Sequence, residues 1–187
     1  MTIAPTDNEG LDEMFELLCK ITPEGYKSEI VGGAILMTPK RDEHWDIISD
    51  VLSQLIDHFG DRSGIMHDVR LDLPGYGNAF APGLYKLRGG AEHDAKDNWR
   101  YQDVDFVLEV TARGTADREY GAKKAAYAAG GIPVHVIADP YMGRCHVHTL
   151  PVDGEYRSRL VVDFGEPIDL TGTILGLTLT TWEFARG

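Results

Sequence analysis

The run VDFVLEV at 104–110 sets a glutamate inside a stretch otherwise built of residues that fill protein interiors. Alternation along it puts Val104, Phe106, Leu108 and Val110 on one face, and Asp105, Val107, Glu109 and, one residue on, Thr111 on the other. An alanine-rich stretch, 116–129, reads as a helix that Gly130-Gly131 ends, and IPVHVIA at 132–138 reads as a second strand. Strand, helix and strand in that order form a right-handed parallel crossover. The chain must therefore build a sheet with helices packed on it, an α/β or α+β fold with a mixed sheet.

The flanking segments extend that sheet. Residues 26–38 read as a β-hairpin turning at Gly32-Gly33, and 144–150 with 155–163 as another antiparallel pair. Two further strands are expected over 65–73 and 79–87, separated by Pro74-Gly75. Residues 88–102 read as a long polar loop. Near the C-terminus the pattern gives a short strand at Ile168 and a helical turn at 180–184. Helices are expected over 9–21, through Leu11, Met14, Phe15 and Leu18, and over 42–59. In the second, Trp45, Ile48, Val51, Leu52, Leu55, Ile56 and Phe59 form one stripe, and Gly60 is the stop. With 187 residues the chain suits one domain over 23–187, preceded by a tail and helix over 1–22, with residues 1–8 a flexible tail.

Charge and cysteine content narrow the setting. The net charge of −12 gives the whole chain no attraction for nucleic acid or anionic lipid. The excess is uneven: −8 over residues 1–60, −1 over 61–127 and −3 over 128–187, so the middle third is where a polyanion would bind if one does, while charge alone reads as that of a soluble protein. Two cysteines, Cys19 and Cys145, form no disulfide framework and fit a reducing compartment. No apolar run is long enough to span a bilayer, and the N-terminus lacks a secretory pattern, so the expected location is cytoplasmic.

Glu109 is the first residue with chemical content. A carboxylate on a buried strand is costly unless paired or metal-bound, and ligand sites favour the C-terminal ends of parallel strands. The strand alone does not separate that reading from an edge carboxylate facing water. Lys123 lies beside the small face made by Ala122, Ala125, Ala126 and Ala129, whereas Lys124 points away, so Lys123 can lean toward Glu109. The alternative is a solvated lysine stripe. By residue type alone Glu29 and His44 read as surface positions. His135, Cys145, His146 and His148 lack zinc-ligand spacing, and phosphate-loop, dinucleotide and serine-hydrolase motifs are absent.

Taken together, YKSEIVGGAILMTP at 26–39, His44, FAPGLYKL at 80–87, VDFVLEVTARGTADREYGAKKAAYAAGGIPVHVIADP at 104–140 and FGEPIDL at 164–170 resemble the Uma-two (Uma2) family. This is a large bacterial family of restriction-endonuclease-like proteins with the PD-(D/E)XK nuclease fold. The resemblance implies an endonuclease that hydrolyses DNA phosphodiesters with Mg²⁺ or Mn²⁺. Glu109 and Glu29 would hold the metal, and Lys123, borne on the helix, would join Glu109 in catalysis. The superfamily position for that lysine is taken here by Thr111. Cutting both strands of a duplex further suggests a homodimer. One departure stands out: the family's Pro-Asp element is Pro82-Gly83, which removes a central carboxylate. Asp105 is about 13 Å from Glu109 along an extended strand, too far to share one ion. Asp68, Asp72 and Asp103 are other candidates, and the sequence selects none. The alternative function is therefore a catalytically inactive nuclease-fold binding or interaction module.

Overall fold

The computed structural model describes residues 8–114, 117 and 119–187. Residues 1–7 of the expected tail and residues 116 and 118 of the expected 116–129 helix lie outside them.

Among the described residues, three sheets and three α-helices organise the fold. Helix α1 (Asn8–Ile21) precedes the hairpin β1 (Tyr26–Val31) and β2 (Ala34–Pro39). Gly32 and Gly33 make its turn with φ of 59° and 79°, in the left-handed region that side chains resist. Helix α2 (Asp42–Phe59) ends on Gly60, also left-handed, whose N–H bonds the Ile56 carbonyl. Short strands follow: β3 (Ile65–Met66), β4 (Leu71–Asp72), β5 (Ala79–Phe80), β6 (Leu84–Leu87) and β7 (Trp99–Arg100). The central strand β8 (Val104–Val110) leads through a π-helical turn (Glu119–Lys123) into α3 (Lys124–Ala129) and then β9 (Val134–Asp139). The long hairpin β10 (Arg144–Val152) and β11 (Glu155–Asp163) and the small pair β12 (Ile168–Asp169) and β13 (Thr178–Leu179) complete the chain.

The larger sheet has the order β11-β10-β9-β8-β6-β3, and a second sheet the order β2-β1-β5-β4-β7. β8 and β9 pair in parallel, as the crossover requires. One face of the larger sheet packs on α2 and on the C-terminal segment through Ile47, Val51, Leu55, Phe106, Leu108 and Leu177. The other packs on α3 and the second sheet through Val107, Tyr127, Tyr85, Phe80 and Leu71. Helix α1 seats Leu11 and Leu18 on Ile30 and Ala79. Among the described residues no helix is long and apolar enough to cross a membrane.

Four details depart from the sequence reading. Each of the expected strands 65–73 and 79–87 breaks into two pieces that join different sheets. The breaks fall at Asp68, whose φ is 52°, and at Pro82, which has no N–H to give a ladder. On α2, Trp45 and Phe59 are exposed and Ile47 is fully buried instead. The aromatic pair sits at the helix ends, where Trp45 lies against His67 and Phe59 takes the Lys86 ammonium on its ring. A register shift at Lys86/Leu87, opposite the start of β8, changes the alternation there. Val104 consequently packs with Val107, and Asp105 turns to the α2 side beside Phe59 and Leu175. Finally, β13 pairs with β12, and the 180–184 stretch is a tight turn closed by Phe184 N–H on the Thr181 carbonyl.

A candidate active site of three glutamates and two lysines

Period-two alternation on β1 aims Lys27, Glu29 and Val31 at one side of the hairpin, toward the end of β8. Glu109 is fully buried on β8, and Glu29 is 3% exposed. Glu29 is therefore no surface residue, because the second sheet folds its strand over β8. Its Oε1 accepts a hydrogen bond from the Ala81 N–H at 2.8 Å.

Lys123 enters from the opposite element. The inward face of the helix is Lys123, Ala126, Tyr127 and Ala128, while Ala122, Ala125 and Ala129 are exposed. The alanine face inferred from composition is thus not the one that packs. Glu119, Lys123 and Tyr127 recur every four residues and turn a polar stripe toward the carboxylates. The Lys123 ammonium lies 2.6 Å from Glu109 Oε1, 3.0 Å from Glu29 Oε1 and 3.2 Å from Glu119 Oε2. Tyr127 Oη donates to Glu109 Oε1 at 2.5 Å. Lys27 stands 3.7 Å from Glu29 and 3.8 Å from Glu109. Glu29, Glu109 and Lys123, far apart in sequence, meet at one point. Glu119, Lys27 and Tyr127 join them without having been singled out in the sequence.

The electrostatics follow from burial. Removal from water pushes the Glu119 carboxyl up, repulsion from Glu109 and Glu29 adds to this, and it titrates at about 8. Burial also pushes Glu29 up, but the Lys123 and Lys27 ammoniums outweigh it and hold that carboxyl below its ordinary value. Burial alone would lower Lys123, yet Glu109, Glu119 and Glu29 raise it well above the usual lysine value. At neutral pH the cluster is close to charge balance, with Glu119 holding a proton. Glu119 Oε2, although near Lys123, makes no hydrogen bond.

Beside this cluster opens a cleft lined by Lys27, Lys40, Arg41, His44, Trp45, His67, Asp68, Gly83 and Glu119. Its basic wall comes from the most acidic third of the sequence, not from the middle third. His44, read as surface, is 9% exposed and faces this cleft. Pro82-Gly83 lies at the cleft. A Cβ at Gly83 would stand 3.2 Å from the Leu108 carbonyl oxygen and 3.2 Å from Ile48 Cδ1, so glycine permits the close approach of this loop to β8. Asp68 is the one of the three alternative aspartates that lines the same cleft, and its N–H bonds the Pro82 carbonyl.

The family model for Uma2, described as "Putative restriction endonuclease", matches residues 12–181. The chain belongs to the Uma2 family. A crystal structure of a putative nuclease belonging to DUF820 from Anabaena variabilis is similar over 93% of this chain and 96% of that one. Its TM-score is 0.70 at 15% identity, a likeness of fold. No curated protein matches the chain. The mixed-sheet, restriction-endonuclease-like architecture expected from the sequence is thus the one observed.

Such nucleases generally use divalent metals. Among the described residues no three His, Cys, Asp or Glu side chains are arranged as a ready cage. Mg²⁺, however, usually takes only one or two protein carboxylates and completes its shell with waters and substrate phosphate. Glu119 Oε2 is buried and makes no hydrogen bond, with the Lys123 ammonium 3.2 Å away as its nearest charge. Three carboxylates against two ammoniums carry one net negative charge once Glu119 ionises. A divalent ion would reverse that sign, and a phosphodiester would neutralise it. Glu29 and Glu109 present carboxylate oxygens of the kind a hard cation takes, with the Lys123 ammonium 3.0 and 2.6 Å from them.

A histidine pair lies behind the site. His135 is fully buried, 4.8 Å from the Tyr127 ring and stacked at 5.5 Å on His148. Neither His135 ring nitrogen has a hydrogen-bond partner. Burial holds His135 well below the ordinary histidine value, and the His148 ring depresses it further. Burial and then Lys124 bring His148 to about 4. The unfolded chain takes up these protons near pH 6.5, before the folded one does. Stability is therefore complete above that pH and falls as pH drops toward 4. His148→Leu is expected to flatten the denaturant midpoint between pH 6.5 and 4.5, whereas an unchanged slope would remove His148 from this account.

Proposed function

We propose that this protein is a Mg²⁺- or Mn²⁺-dependent endonuclease that hydrolyses DNA phosphodiester bonds. The observation that supports this most is the convergence of Glu29, Glu109 and Lys123, contributed by β1, β8 and the helix between β8 and β9, within about 3 Å of one ammonium. Glu109 and Glu29 would hold the ion, which supplies activation of water and stabilisation of charge on the phosphate. Lys123 places a fixed positive charge where phosphate charge accumulates in the transition state, in a site that excludes bulk water. Lys27, Lys40 and Arg41 line the cleft; Lys40 is paired with Asp68 and Lys27 with Glu29 and Glu109, so Arg41 would give the DNA backbone its main basic contact there. The test is nicking of supercoiled plasmid, which should require Mg²⁺ or Mn²⁺, stop with EDTA and be absent in Glu109→Gln.

Gly83 and the lack of a ready cage favour a second reading, a nuclease-fold module that binds DNA without cleaving it. Gel-shift binding with no nicking in either metal would decide for it. Gly83→Asp separates the two further. An aspartate there restores a carboxylate at the cleft, and calorimetry should show Mn²⁺ affinity rising about tenfold or more. The tight contact with the Leu108 carbonyl should cost about 1–3 kcal/mol of stability. Unchanged affinity in a folded variant would mean that position 83 does not face the ion.

A further inference from the structure

His44 sits in the first turn of α2, buried against the end of β8. Its ring hydrogen-bonds the backbone of Thr111. Nε2 is buried and has no partner, so Nδ1 is the nitrogen that donates to the Thr111 carbonyl. That bond fixes the tautomer and leaves on Nε2 a free lone pair, an acceptor only, in a residue that lines the cleft with Lys27 and Glu119. A buried acceptor without a donor is costly, and a water entering from the cleft would supply the missing donor; water is also the donor that hydrolysis requires.

We propose that His44 is the general base of this site, taking the proton of the attacking water on Nε2. The inference rests on the phosphodiesterase reading above. The water oxygen forms a bond to phosphorus, and its proton passes to Nε2. The bond from phosphorus to the leaving sugar oxygen breaks with its electron pair, and that oxygen takes a proton from solvent. The neutral form needed for this is favoured by the surroundings. Burial disfavours the imidazolium most strongly, Glu43 on the same helix favours it, and Lys27 on β1 and Arg41 disfavour it, leaving His44 below its ordinary value. His67, Asp68 and Glu119 face the same cleft and are the other groups that would shape its titration.

His44→Asn keeps a donor for the Thr111 carbonyl and removes Nε2. It is expected to lower kcat for plasmid or oligonucleotide cleavage about 100-fold or more with KM little changed. The acid limb of the pH–rate profile should vanish. His44→Ala should regain activity in added imidazole, which a purely structural role would not produce. Nitrogen NMR of the wild-type ring, assigned by the signal lost in His44→Asn, should show the Nδ1–H tautomer. A wild-type kcat in His44→Asn while Glu109→Gln is inactive would overturn the general base and leave the nuclease reading standing. An Nε2–H tautomer would also overturn it. A wild-type protein inactive on DNA with both metals would overturn both.

Discussion

Lys123→Met should lower the stability of this protein by about 3–5 kcal/mol at neutral pH, enough to unfold much of a marginal domain. The ammonium is fully buried and touches Glu29, Glu109 and Glu119. Methionine fills the volume but leaves those carboxylates in low dielectric against Lys27 alone. The loss should shrink as pH falls toward 5, because protonation then relieves the uncompensated charge. In the wild type Lys123 holds Glu29 below its ordinary value; without it that carboxyl rises, and the folded state binds the proton first. A triple variant, Lys123→Met with Glu29→Gln and Glu109→Gln, should recover most of the stability. Chemical denaturation of the single and triple variants at pH 5 and 7.5 measures both effects. A Lys123→Met protein as stable as wild type at pH 7.5 would mean that the ammonium is not the centre of this network.

The parts of this arrangement that local pattern specifies were legible in the sequence. Gly32-Gly33 needs positive φ at both positions, and no other stretch near 26–38 offers that. Strand β8 and its crossover follow from an apolar run, an alanine-rich helix and a second apolar run. The rest depends on what faces what. Lys27 shares a face with Glu29 by simple alternation, a signal present in YKSEIV that residue type alone obscured. Glu119 and Tyr127 stand four residues on either side of Lys123, but only the carboxylates opposite make that stripe, rather than the alanines, the buried one. The bulge opposite Val104, which turns Asp105 away, is set by pairing with β6 and has no local signature. His44 is two-sided in the same way: its helix position suggests surface, and only the end of β8 buries it.

Glu109→Gln should leave a folded protein that no longer nicks DNA. The amide oxygen can still accept from Tyr127 Oη and from Lys123, which now approach Glu109 Oε1 at 2.5 and 2.6 Å. The lost negative charge has a replacement nearby. Glu119 titrates at about 8, raised first by burial and next by the Glu109 charge. Removing that charge lets Glu119 ionise and balance Lys27 and Lys123. The variant should therefore lose little stability near pH 8. This contrasts with Lys123→Met, where Lys27 alone is left to face Glu29 and Glu109. The cation site responds in the opposite way. Of the two carboxylates proposed to hold the ion, one becomes an uncharged amide, so Mn²⁺ affinity measured by calorimetry should fall at least tenfold and nicking should drop to background. A Glu109→Gln protein that binds Mn²⁺ and nicks plasmid like the wild type would place the reaction elsewhere on the molecule.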